Sequence, residues 1–256
     1  MTRCDLPRGL TADDYDISAT VRDLGRLHKV LTTLEDLPEQ QRPQSLLDLG
    51  CGIGGLTLYV ARRLGIEETT GVDMDADRLE RAAARGVKTI NANLNTDPLP
   101  IPDASIGLVT SFGVFEHLTF YDNTISEAAR VLQDGGRFLL SMPNLGSYIN
   151  RAALLLGFQP REVEVSREVS AGLMPLYRKA PSKGAPLGHV HAATLRSMRE
   201  LLEHYAFKTV TVQGFSPDFG SLTIRLIDIV LGNIPSLSRR FIILAERRPR
   251  GGTKHR

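Results

Sequence analysis

The sequence predicts an α/β fold: a parallel sheet with helices on both faces. Three observations carry that expectation. From residue 45 onward, short apolar runs of strand length alternate with longer amphipathic runs. The apolar runs are nearly continuous, as in strands buried on both faces. A glycine-rich turn, with Gly50, Gly52, Gly54 and Gly55 inside D-L-G-C-G-I-G-G, joins the first such run to the first following helix.

The elements follow in order. Residues 17–37 place Val21, Leu24, Leu27, Val30, Leu31 and Leu34 at helical spacing, and L-P-E-Q-Q-R-P breaks the pattern. S-L-L-D-L-G from residue 45 reads as a buried strand, followed by a helix over 55–64. T-T-G-V-D at 69–73 is a second strand, and A-D-R-L-E-R-A-A-A-R-G a helix ended by Gly86. V-K-T-I-N from residue 87 and S-I-G-L-V-T-S over 105–111 are the third and fourth strands. A helix runs through N-T-I-S-E-A-A-R-V-L to the turn D-G-G, and R-F-L-L-S-M-P over 137–143 is the fifth strand.

After Pro143 the alternation loosens. S-Y-I-N-R-A-A-L-L-L-G reads as a helix and K-A-P-S-K-G-A-P-L-G as a loop, before the helix A-A-T-L-R-S-M-R-E-L-L-E-H-Y-A and the strand F-K-T-V-T-V-Q-G-F. The segment S-L-T-I-R-L-I-D-I-V-L-G-N-I-P precedes the last strand, R-F-I-I-L-A-E-R. The expected organisation is one domain over 1–256 with a helical cap at 1–40. Insertions at 144–190 and 216–238 are expected to form a substrate lid, and 247–256 a flexible basic tail.

With 31 basic against 29 acidic side chains, the net charge of +2 supplies no field for nucleic acid. Cys4 and Cys51 make neither a disulfide framework nor a zinc site, and Cys51, inside the glycine turn, reads as packing. The start of the chain has no apolar core of signal-peptide length, and no apolar run is long enough to span a bilayer. The expectation is a cytoplasmic protein with a small-molecule substrate, a homodimer being a possible assembly.

A glycine-rich turn after a first strand lets a ligand approach the main chain and the helix N-terminus. Asp73 stands 19 residues after Gly54, at the end of the next strand, where a carboxylate accepts hydrogen bonds from ribose hydroxyls. The spacing fits any nucleoside-containing cofactor.

D-L-G-C-G-I-G-G, with Asp48 at the strand end, resembles motif I of the class I S-adenosylmethionine (SAM)-dependent methyltransferases. G-V-D-M-D-A-D-R-L-E-R-A resembles the second motif of that family. The stretch from A-N-L-N-T-D to F-E-H-L, the fifth-strand segment V-L-Q-D-G-G-R-F-L-L-S-M-P-N and the late helix of G-H-V-H-A-A-T-L-R-S-M-R-E-L-L-E-H-Y-A-F each resemble the corresponding later segment of the same family. The resemblance, to the small-molecule branch that includes ubiquinone-type and natural-product enzymes, implies a Rossmann-like doubly wound sheet. It implies seven strands, mostly parallel, with an antiparallel last strand inserted near the edge. It also implies SAM as cofactor, S-adenosylhomocysteine as product, and cofactor contacts from Asp48, Gly50, Cys51, Gly52, Gly54, Asp73, Met74, Asn93, Leu94 and Ser111.

Two positions depart from the family pattern. Asn93 stands where an acid commonly meets the adenine amino group; its amide oxygen accepts the same bond without charge, so binding is expected to be modestly weaker. Gly107 replaces the usual aspartate of the fourth strand.

Methyl transfer from a sulfonium mainly requires alignment and exclusion of water, and no metal-ligand cluster shows in the sequence. The candidate catalytic residues are His117, His189 and His191. Against a proton-transfer role stand a loop-capping role for His117 and helix-start bonds for the other two. Tyr15, Asn144 and Tyr148 are candidates for contact with the acceptor, against plain packing for the tyrosines. The signature N-P-P-Y is missing after the fourth strand, which reads S-F-G-V-F-E-H. The expected activity is methyl transfer to a small organic acceptor, at a hydroxyl oxygen of a secondary metabolite, sugar or lipid-like intermediate. The alternatives are a non-catalytic SAM-binding protein and a nicotinamide-dependent oxidoreductase. The stripe Leu222, Leu226, Ile229, Val230 and Ile234 has four open readings: cover for an apolar substrate, a dimer contact, a membrane surface or core packing.

Overall fold

The computed structural model describes residues 24–179, 186–216 and 222–250. Seven strands form one sheet in the order β3-β2-β1-β4-β5-β7-β6. They are β1 (Ser45–Leu49), β2 (Glu68–Asp73), β3 (Lys88–Asn91), β4 (Ile106–Phe112), β5 (Leu132–Pro143), β6 (Phe207–Phe215) and β7 (Arg240–Arg247). β1 to β5 pair in parallel, while β7 lies antiparallel between β5 and β6. The Rossmann-like sheet with an inserted antiparallel last strand is therefore observed.

Two apolar clusters, one per face, account for the continuous apolar runs. Leu47, Leu49, Val109, Phe138, Leu140 and Ile243 point into one, and Leu46, Leu108, Leu139, Ile242 and Leu244 into the other. Successive strand residues alternate between faces, so a strand covered on both sides needs apolar residues at every position. The first cluster is closed by α4 (Asp122–Val131) and α6 (Leu195–His204), the second by α1 (Leu24–Glu35) and α2 (Gly55–Leu64). Leu27, Val30, Leu31 and Leu34 of α1 are buried there, so this part of the expected cap is core. The helix α3 (Ala76–Ala83) packs on β2 and β3, and Asp75 caps it by accepting from the amides of Asp77 and Arg78.

Three expectations change. The strand β5 starts at Leu132, earlier than 137, because the D-G-G turn is absorbed as an irregularity in the ladder where Gly135 takes φ 76°. Residues 247–250 are anchored: the Arg250 guanidinium donates to the carbonyls of Arg130 and Leu132, and its amide donates to Asp134. Residues 251–256 of the expected tail lie outside the described residues. Finally, the apolar stripe of α7 (Leu222–Leu231) is not core packing, since Leu226, Ile229 and Val230 are 56%, 65% and 65% exposed. The helix α5 (Tyr148–Leu155) also exposes Leu154 and Leu155. Among the described residues no helix is long and apolar enough to cross a membrane.

Gly107 now has a physical reason. A Cβ there would sit 3.0 Å from the Pro43 Cα and 3.3 Å from the Gln44 backbone nitrogen, so the segment entering β1 would have to give by a few tenths of an ångström to admit a side chain.

Candidate functional site

The turn after β1 is stitched to the end of β2: the amides of Gly50 and Cys51 both donate to the Val72 carbonyl, at 2.7 and 3.0 Å. Gly50, Gly52 and Gly54 take φ of 77°, 53° and 77°, the left-handed region that glycine enters without penalty. Their surroundings differ. A Cβ at Gly50 would lie 2.2 Å from Val114 Cγ2, and one at Gly54 3.0 Å from Val87 Cγ2. At Gly52 nothing lies within 4 Å. Packing thus forbids a side chain at Gly50 and crowds one at Gly54, while at Gly52 only the positive φ favours glycine and the space beyond it is open.

That space is a cavity of about 500 Å³ at the C-terminal ends of β1, β2 and β4, within the range of small-ligand sites. It lies where the chain reverses its progress across the sheet, between β1 and β4. Asp48, Gly50, Cys51, Gly52, Asp73, Met74, Asn93 and Leu94 line it as expected; Gly54 and Ser111 do not. Ser111 is fully buried with its hydroxyl donating to the Leu49 carbonyl, because strand alternation turns it away from the ligand edge. Its neighbours Phe112, Gly113 and Val114 supply the wall instead, together with Asn95 and His117. The sequence signal was a place at or just after the end of β4 for Phe112, Gly113, Val114 and His117, and after β3 for Asn95.

Asp73 accepts from the Gly52 amide (2.9 Å) and the Asp75 amide (3.0 Å), which locks its carboxylate at the cavity edge. Met74 beside it is 71% exposed, an apolar side chain at the wall with nothing over it. Asp48 is buried and accepts from Thr57 (2.6 Å) and Thr110 (2.7 Å). Burial pushes its carboxyl up to about 6, against the pull of those two hydroxyls. Cys51 packs under β2, its sulfur 2.5 Å from where a Gly71 Cβ would be. Burial, with Asp48 and Asp73 nearby, pushes its thiol far above the ordinary range, so it is no nucleophile. The expectation for Asn93 needs correction: its amide oxygen already accepts from the Asn95 backbone (3.0 Å) and side chain (3.2 Å), which fills both lone pairs.

The three histidines separate. His117 lines the cavity, and its Nδ1 meets the Gly188 carbonyl at 3.0 Å. A carbonyl only accepts, so Nδ1 is a donor in this contact. The His189 ring lies 5.1 Å from that of His117, and burial, then the nearby His117, Arg240 and Arg161, pushes it down to about 3. His191 turns away onto Tyr121, at 5.2 Å between rings. Neither caps α6; Thr194 does, in a reciprocal bond pair with Ser197. The sequence showed no cluster of metal-ligand residues, yet the fold brings ligand atoms of Glu116, His117 and His189 within 4.8 Å of one another. The segment after Gly188 returns to the end of β4, where the amides of Val190 and His191 donate to the Glu116 carbonyl.

Two acceptor-side candidates have other work. Asn144 is fully buried; its amide donates to the carbonyls of Pro235, Ser236 and Ser238, and its oxygen accepts from Gly146. Tyr148 donates to Asp228 at 2.9 Å, joining α5 to α7. Neither lines the cavity, because both sit beyond the edge formed by β4 and its following turn. Tyr15 lies outside the described residues.

Residues 47–140 match the family model described as a methyltransferase domain. The chain is 31% identical over 140 residues to a malonyl-[acyl-carrier protein] O-methyltransferase of Geobacter sulfurreducens, covering 54% of this chain and 51% of the relative. It is 30% identical over 146 residues to ajmaline N-methyltransferase of Rauvolfia serpentina, covering 54% and 48%. The chain thus spans about half the length of these curated relatives. A crystal structure of a SAM-dependent methyltransferase from Mesorhizobium loti shares the fold, with a TM-score of 0.57 at 18% identity over 87% of this chain and 98% of that one.

Proposed function

We propose that the protein, whose residues 47–140 match a methyltransferase domain, is a class I SAM-dependent methyltransferase that transfers a methyl group to a hydroxyl oxygen of a small organic acceptor. A secondary metabolite, sugar or lipid-like intermediate is the class in view. The single observation that carries this reading is the open face at Gly52 beside the fixed carboxylate of Asp73, at the rim of a cavity of about 500 Å³. A nucleoside fits that pairing: its ribose hydroxyls donate to Asp73, Met74 covers one face of the base, and the bare backbone at Gly52 admits the amino-acid portion. When bound, SAM supplies a methyl carbon on a sulfonium, and displacement leaves a neutral thioether.

The protein's part is to align the acceptor and exclude water. The acceptor must lose a proton as its oxygen bonds to carbon. Of the three histidines only His117 lines the cavity, so it acts on that proton, directly or through a bound ion. A homodimer stays one possible assembly, and the exposed apolar side chains of α5 and α7 are the surface it would cover; sedimentation at micromolar concentration reads it.

Isothermal calorimetry with SAM and with NAD, followed by transfer of radiolabelled methyl to acceptor pools, tests the proposal. SAM binding with label transfer to a hydroxyl compound is expected; binding of NAD in place of SAM refutes it. A non-catalytic SAM-binding protein is the second reading, favoured by the filled lone pairs of Asn93. SAM binding without transfer to any pool would select it.

A further inference from the structure

We propose that Glu116, His117 and His189 form a site for one divalent first-row transition metal ion, placed at the cavity rim to take an oxygen of the acceptor. The inference deepens the methyltransferase reading and rests on it only for the acceptor's role. Three ligand atoms, one from each residue, lie within 4.8 Å of one another. Glu116 and His189 are 2% and 8% exposed, yet Glu116 Oε2 and His189 Nδ1 have no hydrogen-bond partner. Buried polar atoms are satisfied in the great majority of cases, and an orphan on each of two residues of this group calls for a partner. Glu116 spends its other oxygen on Arg240, at 3.1 Å, so the unpartnered one is free to coordinate.

His117 is held as a metal-ligating imidazole is held. Its Nδ1–H donates to the Gly188 carbonyl, which orients the ring and leaves Nε2 as the nitrogen to coordinate. The Gly188 backbone is itself fixed: the amides of residues 187, 188 and 189 all donate to the Glu164 carboxylate, at 2.5, 2.8 and 3.0 Å. The ligand set is two imidazoles and one carboxylate, which leaves coordination positions open for a substrate oxygen. Arg240 offsets the charge of Glu116, and Arg161 adds to the positive surroundings of His189. Affinity therefore comes from the imidazoles, which selects Zn²⁺ or Co²⁺ over the oxygen-seeking Mg²⁺.

The test uses the full chain, stripped with chelator and titrated with Co²⁺ while the visible d–d absorption is followed, with Zn²⁺ and Mg²⁺ as competitors. The expected result is one equivalent bound, displaced by Zn²⁺ and not by a hundredfold excess of Mg²⁺. His117→Ala, an exposed position whose loss leaves the core intact, should weaken Co²⁺ at least about tenfold. Glu116→Gln, which keeps the buried shape, should do the same with an altered spectrum. No uptake by the wild type, uptake unchanged in both variants, or displacement by Mg²⁺ each overturns the site. Calorimetry with SAM on the same samples keeps the two readings apart: SAM binding without Co²⁺ uptake sinks the metal site alone.

Discussion

Gly50 and Gly52 share a backbone conformation and differ in what surrounds them, so Ala substitution at each separates packing from ligand access. At both positions a Cβ in the left-handed region costs about 1–2 kcal/mol. At Gly52 that is the whole structural cost, since nothing lies within 4 Å of the new methyl. At Gly50 the methyl would meet Val114 Cγ2 at 2.2 Å, and forcing a half-buried neighbour aside adds about 1–3 kcal/mol. Gly50→Ala should therefore lose roughly 3 kcal/mol in urea unfolding and Gly52→Ala roughly 1 kcal/mol. The ligand effect runs the other way for the milder variant. Gly52→Ala places its methyl in the cavity and should weaken SAM about tenfold or more by calorimetry. The double variant Gly50→Ala/Val114→Ala removes the clash and should regain part of the lost stability. Wild-type SAM affinity in Gly52→Ala, or equal stabilities for the two single variants, would refute the assignment of the open face.

Asp73→Asn should weaken SAM by about ten- to a hundredfold, the worth of a hydrogen bond to a charged group, with calorimetry as the readout. Asn144→Ala should cost about 2–4 kcal/mol by stranding buried carbonyls and the Gly146 amide, while SAM affinity stays within about twofold; a large affinity loss would restore Asn144 to the ligand site. Asp48 gives a pH dependence of defined sign. Its folded value near 6 lies above the unfolded 3.8, so its contribution to stability is full below pH 3.8 and is lost as pH rises through 6. The stability of wild type relative to Asp48→Asn should therefore fall by about 3 kcal/mol across that window, measured by unfolding at a series of pH values; a difference that stays flat or rises contradicts the buried carboxyl.

The sequence by itself determined the strand and helix order, the glycine turn and the offset to Asp73. The reason is that these are local: burial on both faces writes an unbroken apolar run, and a left-handed turn demands glycine. Of the ten residues it marked for a cofactor, eight line the cavity, since each stands at or just after the end of a strand whose direction the parallel order imposes. Only the tertiary structure decided which side of a strand or turn each residue takes. Ser111 and Phe112 are neighbours at the end of one strand and both are buried, but only Phe112 lines the cavity. Asn144 looked poised at a strand end and Tyr148 on a lid, and their partners in the α7 region, some 80 to 94 residues away, claimed them. His189 and His191 stand two apart, yet one joins Glu116 and His117 while the other stacks on Tyr121. Such outcomes depend on contacts between distant segments, whose closure no local pattern encodes.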